Sequence, residues 1–389
     1  MIHDYQSYLN PVDDTNFSFS KNQLGYNVNI YSKKKSFPDL IGAEIAIVGV
    51  PEERGSKNNQ GSSISPDIIR EQLYFLYNHH QEIKIVDIGN IKPGKNLTDT
   101  YFVLQEIVRY FVSNKILVII LGGSNDLVYG NYLAYEKLNQ LVNITCIDSR
   151  FDIGENEEEH TSDSYIGKII MHKPNYLFNY TNIGYQSYYN DYNIVKSMDA
   201  LYFDMYRLGV ARSNLVDIEP AIRNSDIVSF DISCIKRSDA PGNLLNGPNG
   251  FSGDEFCTLA NYAGNSEKVS SIGFFEYNSL MDINFQTAEL IAQAIWYVIE
   301  GFTNRLEENP IKNSDNFVKY HVHSNISENG LVFHKSNLTN RWWMEVECPD
   351  DLKEKYATSY LVSCSYNDYL EACKDKVPNR WMQVLKKLL

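Results

Sequence analysis

Short runs rich in Val and Ile alternate with longer segments of helical apolar spacing from about residue 44 to residue 300. The predicted strands cover residues 44–50, 84–89, 115–121, 143–148, 180–185, 227–232 and 270–276. Strands and helices that alternate in this way form right-handed β-α-β units, whose strands lie parallel in one sheet. The sequence therefore predicts a three-layer α/β fold, a doubly wound and mostly parallel sheet with helices on both faces.

Two helices have clear local signals. One begins near Ser65, which we expect to be the N-cap, with Pro66 at the first helical position. Another is predicted over residues 287–302, where apolar residues form one stripe and indicate a helix that faces the core. A shorter helical stretch is predicted over residues 104–112. The first and third of these helices would connect strands of the sheet, and the helix over residues 287–302 would end the alternating block.

Composition divides the chain into three parts. Residues 1–42 are polar and irregular and predict an N-terminal arm, whereas residues 43–310 contain the alternating pattern. Residues 311–389 carry no second catalytic motif and only helical stretches as recognisable elements. We expect this last part to be a C-terminal extension that packs on the core or on a neighbouring subunit.

Charge and composition exclude several classes of protein. The chain has 389 residues, 43% of them hydrophobic, and a formal net charge of −14, so we expect neither nucleic acid nor an anionic membrane as a partner. Its longest apolar run, residues 116–121, is far shorter than the roughly 20 residues that span a bilayer. The polar start lacks a signal sequence, and the six cysteines form no Cys-x-x-Cys pair. These features predict a soluble, cytoplasmic protein with reduced thiols.

Polar residues follow three of the predicted strands. The segments are Gly122-Gly123-Ser124-Asn125, Asp148-Ser149-Arg150-Phe151-Asp152 and Ser229-Phe230-Asp231-Ile232-Ser233. In an open parallel sheet, binding and catalytic groups collect at the carboxyl ends of the strands. The carboxylates in these segments suggest a metal site, although an Arg stands between two of them.

An ordered set of motifs resembles a known family. In chain order the motifs are Gly49-Val50-Pro51, Gly122-Gly123, Asp148-x-x-x-Asp152, Ser229-Phe230-Asp231, Ala240-Pro241-Gly242 and Glu276-x-Asn278. Together, over roughly residues 43–300, they resemble the ureohydrolase superfamily of arginase, agmatinase and formimidoylglutamase. The resemblance implies an arginase-type sheet and a site with two manganese ions, whose bridging hydroxide attacks a guanidino or imino carbon.

The ligand positions that the resemblance implies are only partly retained. Asp148, Asp152 and Asp231 stand where the family has carboxylate ligands. Asn125 and Arg150 stand where the family has His ligands, and Ser233 replaces the second Asp of the third motif. The resemblance thus implies a dinuclear site that has lost both imidazoles and one carboxylate.

Two further positions concern catalysis. Glu276 matches the family's late, substrate-facing Glu and is the candidate catalytic residue, although it could also be a plain surface residue. The family's catalytic His in the loop after the second motif falls at Ile166. His160 is close in sequence but out of register with that position. The resemblance therefore leaves Glu276 without its usual catalytic partner.

Charges decide what such a site can hold. Three carboxylates face one guanidinium, which cannot lose its proton, so we expect Arg150 to pair with Asp148 or Asp231. Lys236 and Arg237 add positive charge nearby. We therefore expect no cofactor, or at most one divalent cation with oxygen ligands, Mn²⁺, Mg²⁺ or Ca²⁺.

A structural interpretation of the same residues stays open. Asp148 and Asp152 could cap a helix or hold a loop, and Asn125 could be a turn amide.

Two functional hypotheses follow. The first is a catalytically degenerate ureohydrolase, a pseudoenzyme that binds a protein partner or a small guanidino- or amino-acid-like ligand. The second is an active hydrolase of a linear amidine or formimino C–N bond, similar to formimidoylglutamase, with one metal or a reorganised site. The resemblance also favours a homo-oligomer.

Overall fold

The structure is a computed structural model that describes residues 6–15, 17–154, 161–323, 330–348 and 360–388. Its strands are β1 (Leu9–Asn10), β2 (Asn29–Ile30), β3 (Ile45–Gly49), β4 (Ile85–Ile91), β5 (Leu117–Leu121), β6 (Val142–Ile147), β7 (Leu177–Tyr185), β8 (Asp204–Arg207), β9 (Ile227–Asp231), β10 (Ser271–Phe275), β11 (Phe317–Val322), β12 (Leu331–Ser336), β13 (Trp342–Glu345) and β14 (Leu361–Cys364). Its α-helices are α1 (Leu24–Asn27), α2 (Ser65–Leu73), α3 (Leu97–Ser113), α4 (Leu127–Lys137), α5 (Tyr165–Met171), α6 (Tyr192–Ala200), α7 (Leu208–Ser213), α8 (Glu219–Arg223), α9 (Gly253–Asn265), α10 (Gln286–Thr303), α11 (Tyr366–Ala372) and α12 (Asn379–Leu388).

The central sheet has the strand order β1-β4-β3-β5-β10-β9-β6-β7-β8, and β2 pairs with β4. Every pairing between these strands is parallel except that of β1 with β4. One half of the sheet contains β3, β4 and β5, and the other half contains β6, β7 and β8. The last two strands of this sheet in chain order, β9 and β10, lie between the two halves. The predicted doubly wound, mostly parallel α/β sheet is confirmed, and the topology places β5, β10, β9 and β6 side by side at the centre.

The inner strands are apolar on both faces because helices cover both faces. In β3, Ile45 and Ile47 contact one core cluster, while Ala46 and Val48 contact the other. This alternation is the period of two that a strand imposes on its side chains. Two separate apolar layers therefore lie on either side of the sheet and hold the carboxyl ends of the central strands in place.

Two helix starts differ from the predictions. Helix α2 begins at Ser65, so Ile64 is the N-cap, and the Ser65 hydroxyl donates to the Tyr277 carbonyl instead of capping the helix. Helix α3 begins at Leu97, earlier than predicted, where Asn96 and Asp99 form a capping box. The long-range hydrogen bond of Ser65 explains the difference in α2, because local sequence does not record it. The first turns of α3 were missed because they lack apolar periodicity.

The C-terminal part contains a four-stranded antiparallel sheet with the order β11-β12-β13-β14. Only helical stretches are predicted for this region, so the sheet is a correction. It packs against the core, since Phe178 of β7 belongs to its apolar cluster and the Arg223 guanidinium donates to the Trp342 carbonyl over 3.1 Å. The paired Trp342 and Trp343 suit a strand buried on both faces, which apolar periodicity does not separate from a buried helix.

None of the helices in the described part of the chain combines the length and the apolar composition that a bilayer-spanning helix needs.

Candidate metal centre

The candidate site lies at the carboxyl ends of the four central strands. Asn125 follows β5, Asp148 and Asp152 follow β6, Asp231 ends β9, and Glu276 follows β10. Gly123 brings the Asn125 segment close to a neighbouring loop, because a Cβ at that position would collide with the backbone carbonyl of Glu52. Groups far apart in sequence are hydrogen-bonded here: the Asn125 backbone N–H donates to Glu276, 151 residues away.

Three carboxylates form the centre of this site. One oxygen from each of Asp148, Asp152 and Asp231 lies within 4.8 Å of the others. Asp148 and Asp231 are buried, whereas Asp152 is partly buried and has a left-handed backbone with φ of 48°. Asp is one of the few residues that adopt this conformation readily. An Asp at position 152 therefore suits the backbone that brings its carboxylate to the cluster.

The hydrogen bonds of the cluster leave one carboxylate oxygen unused. Asp148 Oδ1 accepts from the Arg150 backbone N–H at 2.8 Å and from the Ser233 hydroxyl at 3.4 Å. Asp148 Oδ2 is buried without a hydrogen-bond partner among the described residues. Asp231 Oδ1 accepts from the Ser233 backbone N–H at 2.6 Å. An unpaired buried carboxylate oxygen is unfavourable unless a proton or a cation satisfies it.

Burial and like charge both act on these carboxylates. Burial raises the pKa of Asp148, and burial together with the Asp148 charge raises the pKa of Asp152 and Asp231 well above the ordinary value. Each carboxylate is thus destabilised in its charged form by its surroundings. The cluster favours either bound protons or a bound cation.

Asn125 uses all of its amide in protein contacts. Its Nδ2 donates to Asp231 Oδ2 at 3.0 Å and to the Tyr165 hydroxyl at 3.2 Å, and its Oδ1 accepts from the Ser229 hydroxyl at 3.2 Å. The amide nitrogen, not the oxygen, therefore faces the carboxylate. Ser229 belongs to the third predicted segment, although no contact was predicted for its hydroxyl, and Tyr165 was not predicted at the site.

The predicted ion pair of Arg150 with Asp148 or Asp231 is wrong. The Arg150 guanidinium donates to the Ser149 hydroxyl at 3.2 Å and stacks on Tyr189, with 4.5 Å from Cζ to the ring centroid. It forms no ion pair with any described carboxylate. The Tyr189 ring offers this planar cation a face on which to stack.

The other nearby cations also have partners elsewhere. Lys236 Nζ lies 3.3 Å from Asp239, and the Arg237 guanidinium donates to the Asn246 carbonyl. The expected positive charge is therefore present near the site but is not paired with the three carboxylates.

Glu276 lies behind Asn125 and is 2% exposed, which excludes a plain surface position. Its Oε1 accepts from the Asn125 backbone N–H at 2.9 Å, and its Oε2 accepts from Asn59 Nδ2 at 2.8 Å. Burial raises the pKa of Glu276 to about 7. Asn59 was missed because its Gly- and Asn-rich loop has no periodic pattern.

The position of the family's catalytic His is apolar here. Ile166 is 1% exposed and belongs to a core cluster. His160 lies outside the described residues.

The residues present fit one divalent cation. Three carboxylates with an unpartnered buried oxygen form an all-oxygen donor set, which suits Mn²⁺, Mg²⁺ or Ca²⁺. They do not fit a second cation, because Asn125 presents its amide N–H to Asp231 and Arg150 carries a fixed positive charge beside the cluster. Ser233, at the substituted carboxylate position, donates its backbone N–H and hydroxyl to the retained ones.

The sequence matches the family model described as the Arginase family over residues 43–300, which is more than half of the chain. This protein belongs to the arginase family. The predicted membership of the ureohydrolase superfamily is confirmed.

Among its relatives is the formimidoylglutamase of Staphylococcus aureus, 26% identical over 280 residues that cover 69% of this chain and 88% of the relative. The structure of Trypanosoma cruzi formiminoglutamase with Mn²⁺ is similar, with a TM-score of 0.63, 20% identity, and coverage of 70% of this chain and 100% of that one. The Bacillus subtilis formimidoylglutamase structure has a TM-score of 0.66 and 17% identity, over 78% and 98% of the two chains. At these identities the structural similarity supports the fold alone.

Proposed function

We propose that this chain is a catalytically degenerate arginase-family protein that holds one divalent cation and binds a small guanidino- or amino-acid-like ligand. One observation carries the proposal: Asn125 and Arg150, at the two positions that the family resemblance gives to imidazole ligands, use their side chains in other contacts. An amide nitrogen and a guanidinium cannot donate electron pairs to a metal. The second metal of the family's pair then lacks its ligands.

The retained carboxylates support a single cation. Asp148, Asp152 and Asp231 offer oxygen ligands within 4.8 Å of one another. The negative charge of one such cluster is balanced by a single divalent ion and the nearby Arg150. When bound, the cation would supply positive charge to the centre and a Lewis acid for a polar ligand group.

The charges around Glu276 support the ligand class. Glu276 is held by Asn59 and by the Asn125 backbone, so its carboxylate keeps one orientation. A buried carboxylate binds planar guanidino and amidino groups through paired hydrogen bonds. The degenerate protein would thus keep ligand recognition while losing hydrolysis.

An active formimidoylglutamase-like hydrolase is the second candidate. The relatives named formimidoylglutamase favour it, and so do the three retained carboxylates together with Glu276, whose pKa of about 7 suits a proton-transfer group near neutral pH. In this case one cation would suffice for turnover.

Metal content and turnover of the purified chain test both candidates. After incubation with Mn²⁺, we expect at most one Mn²⁺ per chain by elemental analysis, and no formamide or urea release from formiminoglutamate, arginine or agmatine. Two Mn²⁺ per chain with turnover would overturn the proposal, whereas one Mn²⁺ with turnover would establish the second candidate.

A pair of variants supplies the controls. The double variant Asn125→His with Arg150→His restores two imidazoles, so we expect its metal content to rise towards two per chain. Asp231→Asn removes a retained ligand while preserving shape, so its metal content should fall below that of the parent. If neither variant changes metal content, the bound metal lies elsewhere.

We also propose that the protein is a cytoplasmic homo-oligomer, as the family resemblance suggests. Light scattering would then return a mass that is a multiple of 44.7 kDa, and a mass of one chain would contradict it.

A further inference from the structure

A second cleft, of about 530 Å³, lies between the core and the C-terminal sheet. The core contributes Leu117 at the start of β5 and Ser270 just before β10, while the C-terminal sheet contributes Trp343 and Ser363. These core residues lie at the amino ends of the central strands. The cleft is therefore at the opposite edge of the sheet from the candidate metal centre, and its volume falls in the range of small-molecule sites.

The cleft carries an excess of positive charge in a strongly acidic chain. Its lining includes six basic and four acidic side chains, although the chain as a whole has a formal net charge of −14. The basic residues are Lys115, Arg223, Lys268, Arg305, Lys312 and Arg341, and the acidic ones are Asp226, Glu267, Glu307 and Glu308. A local reversal of sign in a concave surface favours an anionic ligand.

Arg305 is held in place by two backbone carbonyls and an aromatic ring, while Glu267 attracts its charge from beyond ion-pair distance. Its Nε donates to the Gly264 carbonyl at 2.6 Å and its Nη2 to the Val269 carbonyl at 3.0 Å, while Cζ lies 4.5 Å from the centre of the Phe302 ring. It forms no ion pair and its Nη1 donates to no group within the described ranges. Burial lowers the pKa of Arg305, so its positive charge is destabilised where it stands. An anion at Nη1 would relieve this cost.

Arg223 gives a second, independent indication. It is 6% exposed, and its Nη1 is buried without a hydrogen-bond partner in the part of the chain that the structure describes. Its Nε lies 2.9 Å from Glu219 Oε1, and Arg341 Nε lies 3.4 Å from the same oxygen. Burial, and after it the repulsion by Arg341, lowers the pKa of Arg223 despite the attraction of Glu219.

Two of the four acidic residues of the cleft, in contrast, are used by the fold. Asp226 accepts from the Asn143 backbone N–H at 2.8 Å and lies 3.4 Å from Lys268. Glu308 accepts from the hydroxyls of Ser336 and Thr339. A ligand in the cleft therefore meets unused donors and few unused acceptors.

We propose that this cleft binds a small organic anion with an oxyanion head group, carboxylate or phosphate, and an apolar body. Arg305 anchors the head group, because a guanidinium presents paired donors to two oxygens. Leu306 and Ile311, which are 45% and 54% exposed, supply apolar surface for the body. Since core and C-terminal sheet both line the cleft, such a ligand links the two parts of the molecule.

Anilinonaphthalene sulfonate, which combines an oxyanion with an aromatic body, is the probe for a fluorescence titration of the full-length chain. We expect saturable binding at one site, displaced by phosphate or by glutarate. Arg305→Gln should raise Kd by about tenfold or more, the effect of losing a hydrogen bond to a charged group. Arg212→Gln is the matched control, because Arg212 pairs with Glu255 outside the cleft, and it should leave Kd unchanged.

A second variant keeps the test decisive if Arg305→Gln does not fold. Lys115 and Lys312 are exposed and line the cleft, so the double variant to Gln should fold normally and raise Kd severalfold. Displacement by phosphate alone assigns a phosphate head group, and displacement by glutarate alone assigns a carboxylate. Absence of saturable binding, failure of both anions to displace the probe, or one Kd for the parent and all cleft variants would overturn the proposal.

Discussion

Asp87 and the cluster of Asp148, Asp152 and Asp231 are carboxylates of the central sheet that differ in what faces them. Asp87 of β4 is fully buried, and its two oxygens accept from Arg70 Nε at 2.7 Å and Nη2 at 3.0 Å. The cluster of Asp148, Asp152 and Asp231 places like charges within 4.8 Å, while the nearest arginine side chain, Arg150, stacks on Tyr189.

This difference distinguishes a structural ion pair from a binding site. Burial alone would lower the pKa of Arg70, but Asp87 and its neighbours raise it. The charges of Arg70 and Asp87 are therefore compensated within the fold. In the cluster, burial raises the pKa of all three carboxylates, and the Asp148 charge raises those of Asp152 and Asp231 further, which leaves the cluster dependent on a proton or a cation. A buried charge with no ion-pair partner among the residues that the structure describes favours a ligand from outside the chain.

The largest expected effect comes from breaking the satisfied pair. Arg70→Met leaves Asp87 buried without its cation and should lower the free energy of unfolding by roughly 3–5 kcal/mol. Urea denaturation of parent and variant measures the change. The double variant Arg70→Met with Asp87→Leu should recover part of the loss, and a loss below about 1 kcal/mol in the single variant would contradict this view of the pair.

Adding a cation should stabilise the carboxylate cluster. At a Mn²⁺ concentration of 100 times Kd, binding to the folded state alone raises the free energy of unfolding by about 2.7 kcal/mol. Thermal denaturation with Mn²⁺ and with EDTA measures the difference. Asp231→Asn should abolish most of it, and an equal response of parent and variant would show that the cluster is not the binding site.

Removing the Asp152 charge in the absence of metal should raise the free energy of unfolding, whereas breaking the Arg70–Asp87 pair lowers it. Asp152→Asn keeps the shape, and Asn also adopts the left-handed backbone found at this position. At a pH high enough to ionise Asp152, we expect the free energy of unfolding in EDTA to rise by on the order of 1 kcal/mol, because burial of the Asp152 charge and its repulsion by Asp148 are removed. A marked loss of stability would instead assign Asp152 a structural role.

An exposed ion pair in the C-terminal sheet gives the smallest effect. Hydrogen bonds from His334, at 2.6 Å, and Lys319, at 3.0 Å, lower the pKa of Glu345 to about 2. A lowered folded-state pKa means that the stabilisation is present at neutral pH and is lost as pH falls from about 4.5 towards 2. Because the side chain is 36% exposed, solvent limits the contribution to below about 1 kcal/mol.

The comparison of parent with Glu345→Gln over this pH range isolates that contribution. The two stability curves should converge at low pH and separate above it, and parallel curves would contradict the assignment.

Sequence patterns predicted the central sheet well and the details of the site less well. The β-branched runs before Asn125, Asp148 and Asp231 form strands that helices cover on both faces. A strand covered on both faces is apolar along its whole length, and this feature is visible in the sequence. The side-chain direction of Arg150 was predicted wrongly, since Tyr189, its stacking partner, comes from a separate loop. In the C-terminal antiparallel sheet, β13 and β14 are short and have no regular alternation, and the alternation of β11 from Val318 to Val322 was overlooked.

The amino-acid sequence alone was enough to establish family membership, the parallel architecture and the identity of the residues at each strand end. These properties depend on local apolar pattern and on motif order. Only the folded chain showed that Glu276 is buried behind Asn125, that one Asp148 oxygen has no hydrogen-bond partner among the described residues, and that core and C-terminal sheet together line a basic cleft. Hydrogen bonds and charges act over a few ångströms, and the chain brings these groups within that distance only when distant segments pack together.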